Sequence, residues 1–143
     1  MQVVARGVTV STRRAMEFLD VTDRLAGTVA DSGVERGLMH VSSLHTTAAL
    51  MVGELQEALL HDMHGLLCRL VDDGVCYRHN QPEFSDCDRR NAAAHLRGML
   101  LSASVSLPIV DARAVLGPYQ RILLAELDGP RERRLHVQIL GSV

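Results

Sequence analysis

Seven histidines stand among the 143 residues, and five occupy segments where an imidazole can do chemistry. His45 ends an expected strand in His45-Thr46-Thr47-Ala48. His61 sits beside Asp62 on the clearest helix, and His79 lies in Tyr77-Arg78-His79-Asn80. His95 follows three alanines on a second helix, and His136 falls in the last strand. Neutral imidazole binds divalent transition metals and serves as a general base near neutral pH. Convergence of several histidines would therefore make a metal or acid–base site. Spacing does not establish it, because no pair has a zinc-specific interval and each histidine alone reads equally as a surface residue. Glu57, His61, His64 and Cys68 share one helix face, an arrangement that also suits a solvated flank.

Among the carboxylates, Glu126 is the sharpest signal. It completes the alternating set Ile122, Leu124, Glu126 on an apolar strand face. Burying a carboxylate there is costly unless it meets a cation or hydrogen-bond donors. It reads as a metal ligand, a general acid or base, the partner of an arginine, or a strand end emerging into water. Glu54 begins a helix, where negative charge is favourable without any chemistry. Arg131, Arg133 and Arg134 follow the turn Asp128-Gly129-Pro130, and Arg133 and Arg134 face opposite ways if that stretch is extended.

All 15 basic residues are arginine. The absence of lysine excludes a Schiff-base lysine, a pyridoxal-phosphate anchor and a phosphate-loop lysine. An anionic substrate must meet arginine, backbone N–H groups or a metal. A net charge of −2 and few aromatic rings argue against nucleic acid. No apolar run is long enough for a membrane span. Three cysteines without a CxxC spacing suit free thiols, and with no signal-like N-terminus the expected location is cytoplasmic.

The pattern predicts one domain over 1–143. Met1 to Val10 reads as a strand with Ala15 to Leu19 as its hairpin partner. A helix capped by Thr22 runs to Ser32-Gly33, and strands follow at Gly37 to Leu44 and Ala48 to Val52. Leu55, Leu59, Met63, Leu66, Leu67 and Leu70 stripe a helix from Glu54 to Val71. A polar stretch from Asp72 to Asp88 precedes an alanine-rich helix, Asn91 to Ser102, with Asp88 as its expected cap. Three strands close the chain at Val105 to Val110, Gln120 to Leu127 and Arg133 to Leu140. This mixture predicts an α+β fold with mainly antiparallel sheet and about three helices.

Read together, these segments resemble the YjbQ-like family, often described as secondary thiamine-phosphate synthases. The resemblance runs nearly end to end. It rests on Gly37-Leu38 through His45-Thr46-Thr47-Ala48-Ala49, Glu54, His61-Asp62-Met63, Tyr77-Arg78-His79-Asn80 and Asn91-Ala92-Ala93-Ala94-His95-Leu96. Leu107-Pro108, Leu116-Gly117, Gln120, and Glu126 through Arg131 to Gly141 continue it. The chain departs from the family at Pro118-Tyr119, where members typically carry Thr-Trp, and at Ala112 and Ser102, where they carry glycine.

The resemblance implies a homotrimer with a metal pocket near subunit contacts, His45, His79 and His95 being the ligands. It implies catalytic or supporting roles for Glu126, Glu54 and Asp62, and substrate binding by Arg131, Arg133, Arg78 and Gln120. Histidine ligation favours zinc or another transition metal over magnesium. The implied reaction joins hydroxymethylpyrimidine diphosphate to thiazole phosphate and releases pyrophosphate, as an activity that is secondary or native. The alternative is a non-enzymatic oligomeric protein that binds a metal or a small phosphorylated metabolite.

Overall fold

The computed structural model describes all 143 residues, Met1 to Val143. Valines at alternate positions shape β1 (Gln2–Ser11), an edge strand paired antiparallel with the last strand, β8 (Glu132–Ser142). The chain then leaves that sheet. β2 (Glu17–Asp20) pairs not with β1, as a hairpin would, but with β7 (Arg121–Glu126). The reason lies in the connecting residues. Thr12 donates its amide to Arg131 and Ala15 accepts from Gly129, so the turn before β8 carries the chain across to the second sheet.

Helix α1 (Thr22–Ser32) starts one residue earlier than a Thr22 cap requires. The carboxylate of Asp20 takes both the Thr22 amide at 3.0 Å and its hydroxyl at 2.6 Å. The helix stops at Gly33, in the left-handed region at φ 72°. Leu25 and Val29, four residues apart, bury its inner face.

Strands β3 (Arg36–Ser43) and β5 (Ser104–Val110) complete a five-stranded sheet, β1-β8-β3-β5-β6, with the short β6 (Arg113–Ala114). β7 lies between β2 and β4 (Ala48–Gly53) in a three-stranded sheet. Every pairing is antiparallel. The fold is α+β.

The small sheet is covered on both faces, which is why the β7 sequence reads Ile-Leu-Leu-Ala without alternation. Ile122 and Leu124 join Met39, Val41, Leu135, Val137 and Ile139 in the main core. Ala49, Ala125 and Leu127 pack the other way, on Leu67 and Ala94. Full burial of each large apolar side chain contributes roughly 1.5–3 kcal/mol.

Leu67 belongs to α2 (Glu57–Leu70) and Ala94 to α3 (Ala92–Leu100). Helix α2 begins after Glu54, at Gln56, whose side chain accepts the Leu59 amide at 2.7 Å. Of its expected apolar stripe only Leu67 is buried, and Leu55, Leu66 and Leu70 face solvent. Helix α3 is not capped by Asp88. Asn80, from the preceding loop, accepts the Ala92 amide at 3.0 Å. The buried Arg97 fastens α3 to the chain following α2, through the Val71 carbonyl at 2.7 Å and Asp73 at 2.9 Å. No helix is long and apolar enough to cross a membrane.

The β5–β6 turn places Asp111 and Ala112 at φ 51° and 58°. The left-handed region costs a residue with a Cβ about 1–2 kcal/mol. Ala112→Gly is therefore expected to raise stability by roughly 0.5–1 kcal/mol after the extra chain entropy of glycine. A urea midpoint unchanged or lowered by this substitution would contradict the strain.

Candidate functional site

The loop before α3 and the first turns of α3 bring two histidines together. A single 3-10 turn, Arg78–Asn80, carries His79, and the Asn80 cap binds that turn to the start of α3. His95 lies one turn into α3. The two rings meet edge to face, centroids 4.9 Å apart at 79°. They line a cleft of about 370 Å³ with Tyr77, Arg78, Ala92 and Leu96. The Arg78 guanidinium stacks over Phe84 at 5.1 Å, which steadies it at the rim.

Both histidines are half-buried. The only buried side-chain polar atom lacking a partner anywhere is Nε of Arg97. The unpartnered ring nitrogens at the cleft are therefore open to solvent. Burial, with His79 adding to it, lowers the His95 imidazole below its ordinary value, so the ring is neutral at neutral pH.

Beneath the pair lies a carboxylate junction. Asp128 Oδ2 accepts from Arg89 Nε at 2.8 Å, Asn91 Nδ2 at 2.8 Å and Arg131 Nη2 at 3.2 Å. Burial opposes its ionisation, but the Arg89 and Asn91 hydrogen bonds prevail and hold the carboxyl below its ordinary value. On its other side Asn91 meets His79 Nε2 at 3.0 Å and Cys87 Sγ at 3.7 Å. The motif reading had not placed Asp128, Asn91, Arg89 or Cys87 at the site. Asp-Gly-Pro reads as a turn, and no local spacing links residues 37 positions apart.

Glu126 is not at the cleft. It is fully buried against Arg133, itself 1% exposed. Oε2 accepts from Arg133 Nε at 2.7 Å and from the Thr12 hydroxyl at 2.8 Å. Oε1 accepts from Arg133 Nη2 and from the Asp128 amide at 2.9 Å. Arg133 also reaches the carbonyl and hydroxyl of Thr47, each at 3.0 Å. This corrects two expectations. A saturated, buried carboxylate has no lone pair free for proton transfer, and a buried guanidinium cannot grip a substrate. Of the readings open from the strand pattern, the arginine partner is the one realised. Arg134 points the other way, into solvent.

His45 is also set apart. Its Nε2 accepts the Arg134 amide at 2.8 Å, a role open only to an unprotonated nitrogen. Burial and the Arg133 charge lower its pKa, in keeping with that role. In this position Nε2 is not free to ligate a metal. Glu54 and Asp62 are exposed, and Asp62 meets only its neighbour His61, at 3.8 Å. Gln120 closes its own turn by accepting the Gly117 amide at 2.8 Å. It lies just before β7, about 20 Å along the chain from Glu126. His64 and Cys68 approach to 3.8 Å on the exposed flank of α2. All three cysteines are free thiols.

Within one chain no group of three His, Cys, Asp or Glu side chains converges as a metal site. His79 and His95 fit a transition metal in donor type, and the His79–Asn91–Asp128 chain is the kind of support that orients a ligating imidazole. The set stops at two donors, where catalytic zinc takes three from protein.

Acid sensitivity follows from the shifted groups. Asp20, Glu126 and Asp128 all ionise below their ordinary values. In each, burial resists ionisation and hydrogen bonds outweigh it. Their stabilisation is complete above about pH 5 and is lost as pH falls through the lowered folded values. His45 and His95, also lowered, add stability above their ordinary value of 6.5 that declines below it. Urea melts from pH 8 to pH 3 should show a shallow loss below neutrality and a steep one below about pH 4. A flat profile would contradict these assignments.

A family model described as UPF0047 protein YjbQ-like matches residues 6–142. A UPF0047 protein of Methanothermobacter thermautotrophicus is 35% identical over 142 residues, covering 99% of this chain and 95% of its own. One of Archaeoglobus fulgidus is 37% identical over 133 residues, covering 93% and 98%. Among solved structures, a YbjQ-like protein of unknown function from Sulfolobus solfataricus superposes with a TM-score of 0.90. It is 33% identical, with 99% of each chain covered. A hypothetical protein of Aeropyrum pernix gives 0.88 at 35% identity, covering 97% of this chain and 99% of its own.

Proposed function

The chain belongs to the YjbQ-like UPF0047 family, and we propose that it is a thiamine-phosphate synthase-type transferase acting at the His79–His95 cleft. The reaction joins hydroxymethylpyrimidine diphosphate to thiazole phosphate and releases pyrophosphate, alone or beside another native reaction on a small phosphorylated metabolite. One observation carries this reading: two imidazoles with open ring nitrogens share an accessible cleft with an arginine. Arg78 meets anionic charge at the rim, and the imidazoles supply ring-nitrogen lone pairs. Arg89 and Arg131 are committed to Asp128 and add positive potential below.

The proposed cofactor is a divalent transition metal held by His79 and His95, its further donors coming from outside this chain. When bound, it would neutralise charge developing on the leaving diphosphate. Exposed Leu66 and Leu70 on α2, with Leu55 just before it, support burial against other copies, and the proposed assembly is a homotrimer in the cytoplasm.

Elemental analysis of protein purified without chelator or affinity tag, its mass in solution, and turnover with both precursors test the proposal together. Bound metal, a threefold mass and turnover are expected. No metal, with turnover that survives His95→Ala, would remove the cleft from the reaction. Tight metal with no turnover would favour the non-enzymatic binding protein.

A further inference from the structure

Asn91 has two opposite hydrogen-bonding ends, and its neighbours decide which way round it sits. One end faces Asp128 Oδ2 at 2.8 Å. An ionised carboxylate only accepts, so that end is the amide nitrogen. The other end, 3.0 Å from His79 Nε2 and 3.7 Å from Cys87 Sγ, is then the carbonyl oxygen, which also only accepts. His79 must donate from Nε2. In a neutral imidazole the second nitrogen is then bare; His79 lines the cleft, and its Nδ1 has no partner in the chain and is not buried.

Asp128 is itself fixed. Arg89 and Arg131 hold its side chain, and its amide is tied to Glu126. The chain from buried core to cleft therefore runs Glu126, Asp128, Asn91, His79.

We infer that His79 offers the lone pair of Nδ1, not Nε2, to a ligand, and that Asn91 and Asp128 are positioning residues that hold this tautomer. The same lone pair is the one through which His79 would hold the divalent metal proposed above, with Arg78 left to meet an anionic group at the rim. The functional role rests on the cleft reading above, whereas the tautomer is a property of the free protein.

Nitrogen-15 NMR of the full-length, histidine-labelled protein near neutral pH tests it. In the wild type, a ring proton protected from exchange is expected on Nε2 of His79, with Nδ1 in the unprotonated range. Asn91→Ala should lose that protected proton. Asp128→Ala removes the acceptor that orients the Asn91 amide and should weaken the signal, while backbone resonances of the two sheets stay in place. A ring proton on Nδ1 in the wild type overturns the inference, as does an unchanged signal in Asp128→Ala. If Asn91→Ala does not fold, the other two spectra decide. None of these spectra involves a substrate, so absence of thiamine-phosphate turnover leaves their outcome unaffected.

Discussion

Replacing Glu126 with alanine is expected to destabilise the fold by about 3–5 kcal/mol, because it leaves Arg133 buried and uncompensated. Arg133 is 1% exposed, and two of its nitrogens are committed to Glu126. The Thr47 oxygens would remain as acceptors but carry no charge. For a chain of this length such a loss lowers the melting temperature by roughly 10–15 °C. Arg133→Met should cost a similar amount, since it strands the carboxylate instead. The double substitution Glu126→Leu with Arg133→Met is expected to recover much of the loss, because an apolar pair of similar volume pays no desolvation. Urea melts of the wild type, Glu126→Leu, Arg133→Met and the double variant close the cycle. Glu126→Ala within about 0.5 kcal/mol of wild type, the range of ordinary surface substitutions, would show that the carboxylate is not structural. Normal stability with lost turnover would return it to the active site.

The second large effect is expected at the cleft. His95→Ala and His79→Ala should each reduce thiamine-phosphate turnover by about 10²–10⁴-fold, the range for loss of a positioned acid–base group. Both rings are half-buried and neither closes the main core, so stability should change little. Bound metal should fall in both variants. Asp62→Asn and Gln120→Ala serve as contrasts, because the first side chain is exposed and the second is confined to its own turn. Turnover lost equally in these contrasts would remove the distinction between cleft and surface. Turnover retained in both histidine variants would place the chemistry elsewhere.

Much of the fold was legible from local pattern. All the strands but the two-residue β6, the helix ending at Gly33 and the alanine-rich helix fall within a few residues of expectation, because hydrophobic period and glycine placement act over short stretches. Two elements were misread for a shared reason. Ala15 to Leu19 looked like the hairpin partner of β1 because hairpins are the commonest neighbours. The pairing was instead decided by the Arg131 and Gly129 contacts on the far side of the chain. Asp88 looked like a helix cap because it precedes α3, yet the capping oxygen comes from Asn80, in a loop that only the folded chain brings near.

The site divides in the same way. The residue types marked five histidines, and the family resemblance narrowed them to His45, His79 and His95; composition excluded lysine chemistry, and the strand pattern marked Glu126 as a carboxylate needing compensation. Which compensation it receives depends on β7, β8 and β1 converging. Its partner Thr12 is 114 positions away, and Arg133 reaches it from the neighbouring sheet. The Asn91–Asp128 bond that orients His79, and the separation of His45 onto the Arg134 amide, are likewise tertiary decisions. Periodicity is a property of neighbours along the chain and can be read from it. The pairing of a buried charge, or the choice of which ring nitrogen carries a proton, is set by atoms that become neighbours only when the two sheets close over their common core.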